Sequence, residues 1–163
     1  MTRYSPTGPG LPVYSVRAGR ERSRTGRIGL ALRFAGAVAL LVTGAVHLQQ
    51  VVGAHYADIP TIGTLFALNF AGATLLALGL LAPLERLTGR VGSAAVALSA
   101  LGGIALAAAS IVFLLISENQ TLFGFRESGY RLAIVVALIA ESAAVILLGL
   151  FLVVRAAGKA QQW

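Results

Sequence analysis

The 163-residue chain predicts an all-α, polytopic membrane fold: an antiparallel bundle of four transmembrane helices behind a disordered basic tail. Three observations predict it. The residues are 57% hydrophobic and 12% charged with a mean hydropathy of +0.83, more apolar surface than a water-soluble core of this size can hide, so lipid is the solvent. Four apolar runs, at about 28–52, 59–81, 91–116 and 131–154, each meet the roughly 20 residues needed to cross a hydrocarbon core. Lys and Arg are also segregated along the chain. The N-terminal stretch through Arg33 carries seven, Arg86 and Arg90 lie between the second and third runs, and Arg155 and Lys159 follow the fourth, leaving only Arg126 and Arg131 for the other side. Eleven cations against two put both termini in the cytoplasm of a plasma-membrane protein, with the loops at 55–60 and 117–130 outside.

Residues 1–27 hold Pro6, Pro9, Pro12, Gly8, Gly10 and Gly19 among Ser and Arg with no apolar periodicity, which predicts a disordered tail. Arg17, Arg20, Arg22, Arg24 and Arg27 crowd against the first apolar run. A basic stretch at that place reads as an anchor to anionic lipid rather than as a nucleic-acid surface. The Val52-Gly53-Ala54 triplet is a tolerable leader cleavage site, but the first run exceeds a 7–15 residue leader core, so a retained helix is expected. The four helices form one domain over 28–155, followed by a short cytoplasmic end at 156–163.

In lipid each apolar run must be a helix, because no other open segment satisfies its own backbone. Short connections make consecutive helices antiparallel neighbours. Helices in lipid associate through small residues and interhelical hydrogen bonds. Gly36 and Gly44 with Leu40, Ala67 and Ala71, the series Ala95, Ser99, Gly103 and Ala107, and Ala133, Ala137 and Ala144 therefore mark the expected contact faces. Leu68-Asn69-Phe70-Ala71-Gly72 and Ala140-Glu141-Ser142-Ala143-Ala144 align as a faint internal repeat that sets Asn69 and Glu141 at matching positions.

Polar residues inside the membrane are the readable functional candidates. Glu141 lies ten residues, about 15 Å, from Arg131, which is near the midplane. A charged group there costs about 2.5–3.5 kcal/mol on insertion scales and normally faces a bundle interior or a cavity. Asn69, His47 and Ser110 fall in the same outer half. These four read either as an outward-opening polar cavity for a small ligand, or as interhelical glue in which Glu141 hydrogen-bonds Asn69 or Ser110. His47 is close enough to the interface to be a solvated end residue.

In the outer loops, Tyr56 and Asp58 precede Pro60, with Asp58 available as the N-cap of the second helix. Phe123, Phe125, Arg126 and Glu127 form a second motif whose rings suit an aromatic belt or a cover over the bundle mouth. Asn119-Gln120-Thr121 has the glycosylation spacing in a loop too short to be a good acceptor. With no cysteine and two histidines, neither a thiolate site nor a metal site is expected. No cofactor is expected either; haem would rest on His47 as one axial ligand, with His55 a poor second.

His47-Leu48, the stretch Tyr56-x-x-Ile59-Pro60-Thr61-Ile62-Gly63-x-Leu65-Phe66-x-Leu68-Asn69, then Leu122-Phe123-Gly124-Phe125-Arg126-Glu127, and Glu141 together resemble a group of uncharacterised four-helix integral membrane proteins of actinobacteria. More distantly the layout resembles DoxX-type four-helix membrane proteins, some associated with quinone or thiol oxidation; those tend to carry an acidic residue where Asn69 stands here. The resemblance implies a fold and no settled activity. The function expected first is a non-enzymatic accessory or structural subunit of a larger envelope complex, partnered by another membrane protein or by copies of itself. A binder or carrier of a small ligand, lipid or quinone around Glu141, and a DoxX-like redox subunit, are the alternatives.

Overall fold

The computed structural model describes the backbone of residues 13–53, 56–121 and 131–160, with side chains from residue 24 onward except at 57 and 60. Helix α1 runs Val13–Gly53, a 3-10 turn covers Tyr56–Asp58, and α2, α3 and α4 run Pro60–Leu81, Leu84–Asn119 and Leu132–Ala160. All four helices are long and apolar enough to cross a membrane. Large apolar side chains such as Leu75, Leu98, Leu132, Ile139 and Val153 are exposed around the outside, a surface that water would not tolerate at this extent.

Three helix limits depart from expectation at the basic end. Helix α1 begins at Val13, inside the stretch predicted to be a disordered tail; residues 1–12 lie outside the described residues. The last proline before residue 60 is Pro12, and Arg, Glu and Ala are fair helix formers. Extending a helix already nucleated in the membrane costs far less than starting one, so the polar segment continues it. By the same logic α4 carries past 154 into the expected C-terminal end. Helix α3 starts at Leu84 rather than 91, but Thr88 and Gly89 are non-helical within it. Gly89 has φ 54°, where a Cβ would be strained. The first turn thereby folds back so closely that a Cβ on Gly92 would stand 2.0 Å from the carbonyl oxygen of Leu84. Asp58 is not the N-cap of α2. Ile59 holds that position with no side-chain cap, because Asp58 is drawn into the 3-10 turn one residue too early, and Pro60 opens the helix.

Helix α1 packs on α2 and α4, and α3 packs on the same two helices, so the four surround one core. Its centre is Leu40, Leu80, Val96 and Leu148, all fully buried. Leu148 fits a notch cut by two glycines. A Cβ on Gly36 would stand 2.5 Å from Leu148 Cδ2, and one on Gly103 would stand 2.9 Å from Leu148 Cδ1. The buried stripe of α3 is Gly92, Val96, Ala100, Gly103 and Ala107, so the expected Ala95 and Ser99 flank it half-buried. A strict four-residue step drifts off one face of a 3.6-residue helix, and a single three-residue step restores it.

The basic end is tied by ions. Arg33, 6% exposed, donates to the carbonyl oxygens of Leu80 (2.5 Å) and Ala82 (2.7 Å), satisfying the open C-terminus of α2, and also donates to Glu85 at 3.1 Å. Glu85 accepts from Arg155 of α4 through its second oxygen, while Arg155 also reaches the carbonyl and hydroxyl oxygens of Ser93. One carboxylate thus joins α1, α3 and α4.

Candidate functional site

At the opposite end the helices part around a cavity of about 250 Å³. His47 and Gln50 of α1, Tyr56, Phe66 and Asn69 of the 3-10 turn and α2, Ser110 and Ser117 of α3, and Ala137 and Glu141 of α4 contribute to its wall. Most of the remaining lining is Leu, Ile, Val and Ala. The cavity exists here because α4 presents Ala133 and Ala137 and α3 presents Ala109 and Ser110, side chains too short to fill the space that Leu148 and Leu40 fill farther down.

The polar side chains are arranged in a chain. His47 Nδ1 lies 2.9 Å from the carbonyl oxygen of Thr43 one turn back; a carbonyl only accepts, so Nδ1 carries a hydrogen. In a neutral ring Nε2 is then the acceptor, and Ser110 Oγ stands 3.3 Å away to donate to it. Glu141, 1% exposed, lines the cavity with Ser110, and its Oε1 lies 3.9 Å from His47 Nε2. Two arrangements satisfy this geometry with the same number of protons: a carboxylic acid beside a neutral imidazole, or a carboxylate beside an imidazolium. Moving one proton between Glu141 and His47 interconverts them.

On two residues that line this cavity, a buried oxygen has no hydrogen-bond partner among the described residues: Oε1 of Glu141 and Oδ1 of Asn69. The expected Glu141–Asn69 bond is therefore not made. Both side chains line the same cavity from α4 and α2, at the positions the internal repeat pairs, but Asn69 is not a partner of the carboxyl group. His47 is not a solvated end residue either. It is 7% exposed because the Phe66 ring stands edge-on to it, with centroids 4.9 Å apart, and Tyr56 in turn stands edge-on to Phe66 at 5.3 Å. Arg131 donates to the Tyr56 hydroxyl and lies over its ring, completing a cover that runs from the end of α4 to the histidine. The cavity also reaches the outer surface between α2 and α3, where Leu68 and Phe113 line it and are exposed.

Of the residues singled out in the sequence, the structure thus brings together His47, Asn69, Ser110, Glu141 and Tyr56, and leaves Asp58 exposed beside them. Phe123, Phe125, Arg126, Glu127 and His55 lie outside the described residues. Sequence reasoning missed Gln50 and Phe66, whose three-residue and four-residue steps from His47 and Ile62 were the available signal. Among the described residues no three His, Asp or Glu side chains converge as metal ligands would. No protein-family model matches the chain, and neither a curated protein nor a solved structure gives a match.

Proposed function

We propose that the chain is a multi-pass membrane protein that binds a small amphipathic molecule, bearing hydroxyl or amine donors, in the cavity beside Glu141. One observation carries this reading: Glu141 Oε1 and Asn69 Oδ1, on two residues that line the cavity, are buried without a hydrogen-bond partner among the described residues. A buried unsatisfied polar group costs about 1–3 kcal/mol, a cost that a ligand's donors offset. Apolar lining elsewhere favours a hydrocarbon portion. The volume of about 250 Å³ falls slightly under that of pockets which enclose drug-sized molecules, roughly 300–1,000 Å³. A headgroup fits it, with the tail leaving between Leu68 and Phe113 into lipid. A hydroquinone headgroup has the required donors, which accords with the DoxX-type resemblance; a lipid alcohol or amine shares that chemistry.

The bundle is antiparallel in this reading, supported by the reversed order of neighbours along α1 and α4: Gly29 beside Val154, Gly36 beside Leu148, His47 beside Glu141. Both termini are cytoplasmic, the basic segment ahead of the membrane meets anionic lipid, and the cavity faces outward from the plasma membrane, supported by the eleven-to-two division of Lys and Arg.

Purification in mild detergent, organic extraction and mass spectrometry test the proposal. A near-stoichiometric amphiphile with hydroxyl or amine groups is the expected result. An empty cavity in a protein that instead copurifies with a stoichiometric membrane partner would overturn it in favour of the accessory-subunit reading, and a haem absorption band would favour a redox subunit.

A further inference from the structure

The basic end of the bundle holds a second cavity, of about 360 Å³, in the cleft between α1 and α4. Arg33, Arg155 and Lys159 line it, with Glu85 as the one carboxylate, leaving two positive charges in excess. The guanidinium groups are held in place by Glu85, by the backbone of Leu80 and Ala82, and by Ser93. These bonds use three of the five N–H donors on each arginine, so both retain donors for a further acceptor. Lys159 is exposed at the rim and has no ion-pair partner among the described residues. The cleft is open because glycines face it. A Cβ on Gly26 or Gly158 would meet nothing within 4 Å, and one on Gly29 would only touch Val154 at 3.5 Å. Glycine is among the poorest helix formers, and each of these positions lies within a helix. The remaining wall is apolar, with Leu30 exposed and Val154 and Phe151 behind it.

We propose that this cleft seats the headgroup of an anionic phospholipid, its phosphate against Arg155, Lys159 and the free donors of Arg33, and its acyl chains along Leu30 and Val154. The excess of two cations selects an anion. The apolar wall between two membrane-spanning helices selects a lipid over a soluble phosphate. The proposal rests on the chain crossing a membrane and does not depend on a ligand in the outer cavity.

The test is native mass spectrometry of the full chain in detergent, titrated separately with phosphatidylglycerol, phosphatidylcholine and inorganic phosphate. Retention of phosphatidylglycerol at least tenfold above phosphatidylcholine is expected, falling at least tenfold in Gly158→Leu, which puts a side chain into the cleft at a position where a Cβ meets nothing within 4 Å. Lys159→Gln should lower retention about threefold at unchanged melting temperature, and removal of residues 1–20 should leave it intact. Equal phosphatidylglycerol retention in the parent and both point variants would overturn the site, and loss on removing residues 1–20 would assign binding to the tail instead. Inorganic phosphate held by the parent while phosphatidylglycerol is not would overturn the lipid assignment.

Discussion

His47 Nε2 and Glu141 Oε1 stand 3.9 Å apart across the α1–α4 contact, too far for a hydrogen bond and near enough for a proton shift to change both. Ser110 contacts the histidine and lines the cavity with Glu141. Removing its hydroxyl should therefore loosen the pair without opening the bundle. Ser110→Ala is expected to lower stability in detergent by about 0.6–2 kcal/mol, the range for interhelical hydrogen bonds in lipid. Equilibrium unfolding in mixed micelles checks this, and an unchanged value would mean that the serine is bonded elsewhere.

The two-glycine notch around Leu148 predicts opposite outcomes for chemically similar changes. Gly36→Leu drives a side chain into Leu148 and should cost about 1–3 kcal/mol or more through overpacking. Gly149→Ala, where a Cβ meets nothing within 4 Å, should be neutral or gain up to about 1 kcal/mol from helix propensity. Thermal unfolding of the two variants side by side is the measurement. A tolerated Gly36→Leu would contradict the packing described for α1 and α4.

At the basic end, Arg33→Leu leaves the carbonyl groups at the end of α2 without their donor, and a loss of about 1–3 kcal/mol is expected. Glu85→Gln should cost less, about 0–1 kcal/mol, because the Glu85 side chain is 39% exposed and water screens its pairs. Unfolding at low and high salt separates them: the Glu85 contribution should shrink with salt and the Arg33 contribution should persist. Equal salt sensitivity would mean that Arg33 is not buried.

The four membrane helices were legible because lipid demands long apolar runs, a signal that needs no partner to be read. Glu141, Asn69, His47 and Ser110 were legible for the same reason, as polar groups in the wrong solvent. Their pairing was not. Asn69 and Glu141 match in depth and in repeat position, yet the group beside Glu141 Oε1 is His47, which Ser110 contacts, since rotation about each helix axis decides contact and depth alone does not set it. The Arg33–Glu85–Arg155 tie was hidden differently. A charge count gave each arginine only a sign, and the partners lie 52 and 70 residues apart along the chain. The helical start at Val13 was missed because composition reports whether a segment folds alone, not whether a neighbouring helix extends into it.

Orientation is open to direct assay. Reporters fused after Arg86 and after Trp163 should both report cytoplasm, and one after Gln120 should report the exterior, as the eleven-to-two charge division requires. An exterior C-terminus would reverse the bundle and place the Glu141 cavity on the cytoplasmic side.

One substitution separates a binding site beside Glu141 from a carboxyl group that only glues helices together. Glu141→Gln keeps the size of the side chain but replaces one carboxyl oxygen with an amide NH2, a donor that cannot accept from a ligand's hydroxyl or amine. The measurement is the amount of amphiphile extracted per mole of purified Glu141→Gln protein against the parent, with melting temperatures taken on the same samples. At least a tenfold loss of the extracted molecule is expected, with a melting temperature that barely moves; equal occupancy in the two proteins would mean that the carboxyl group takes no part in binding.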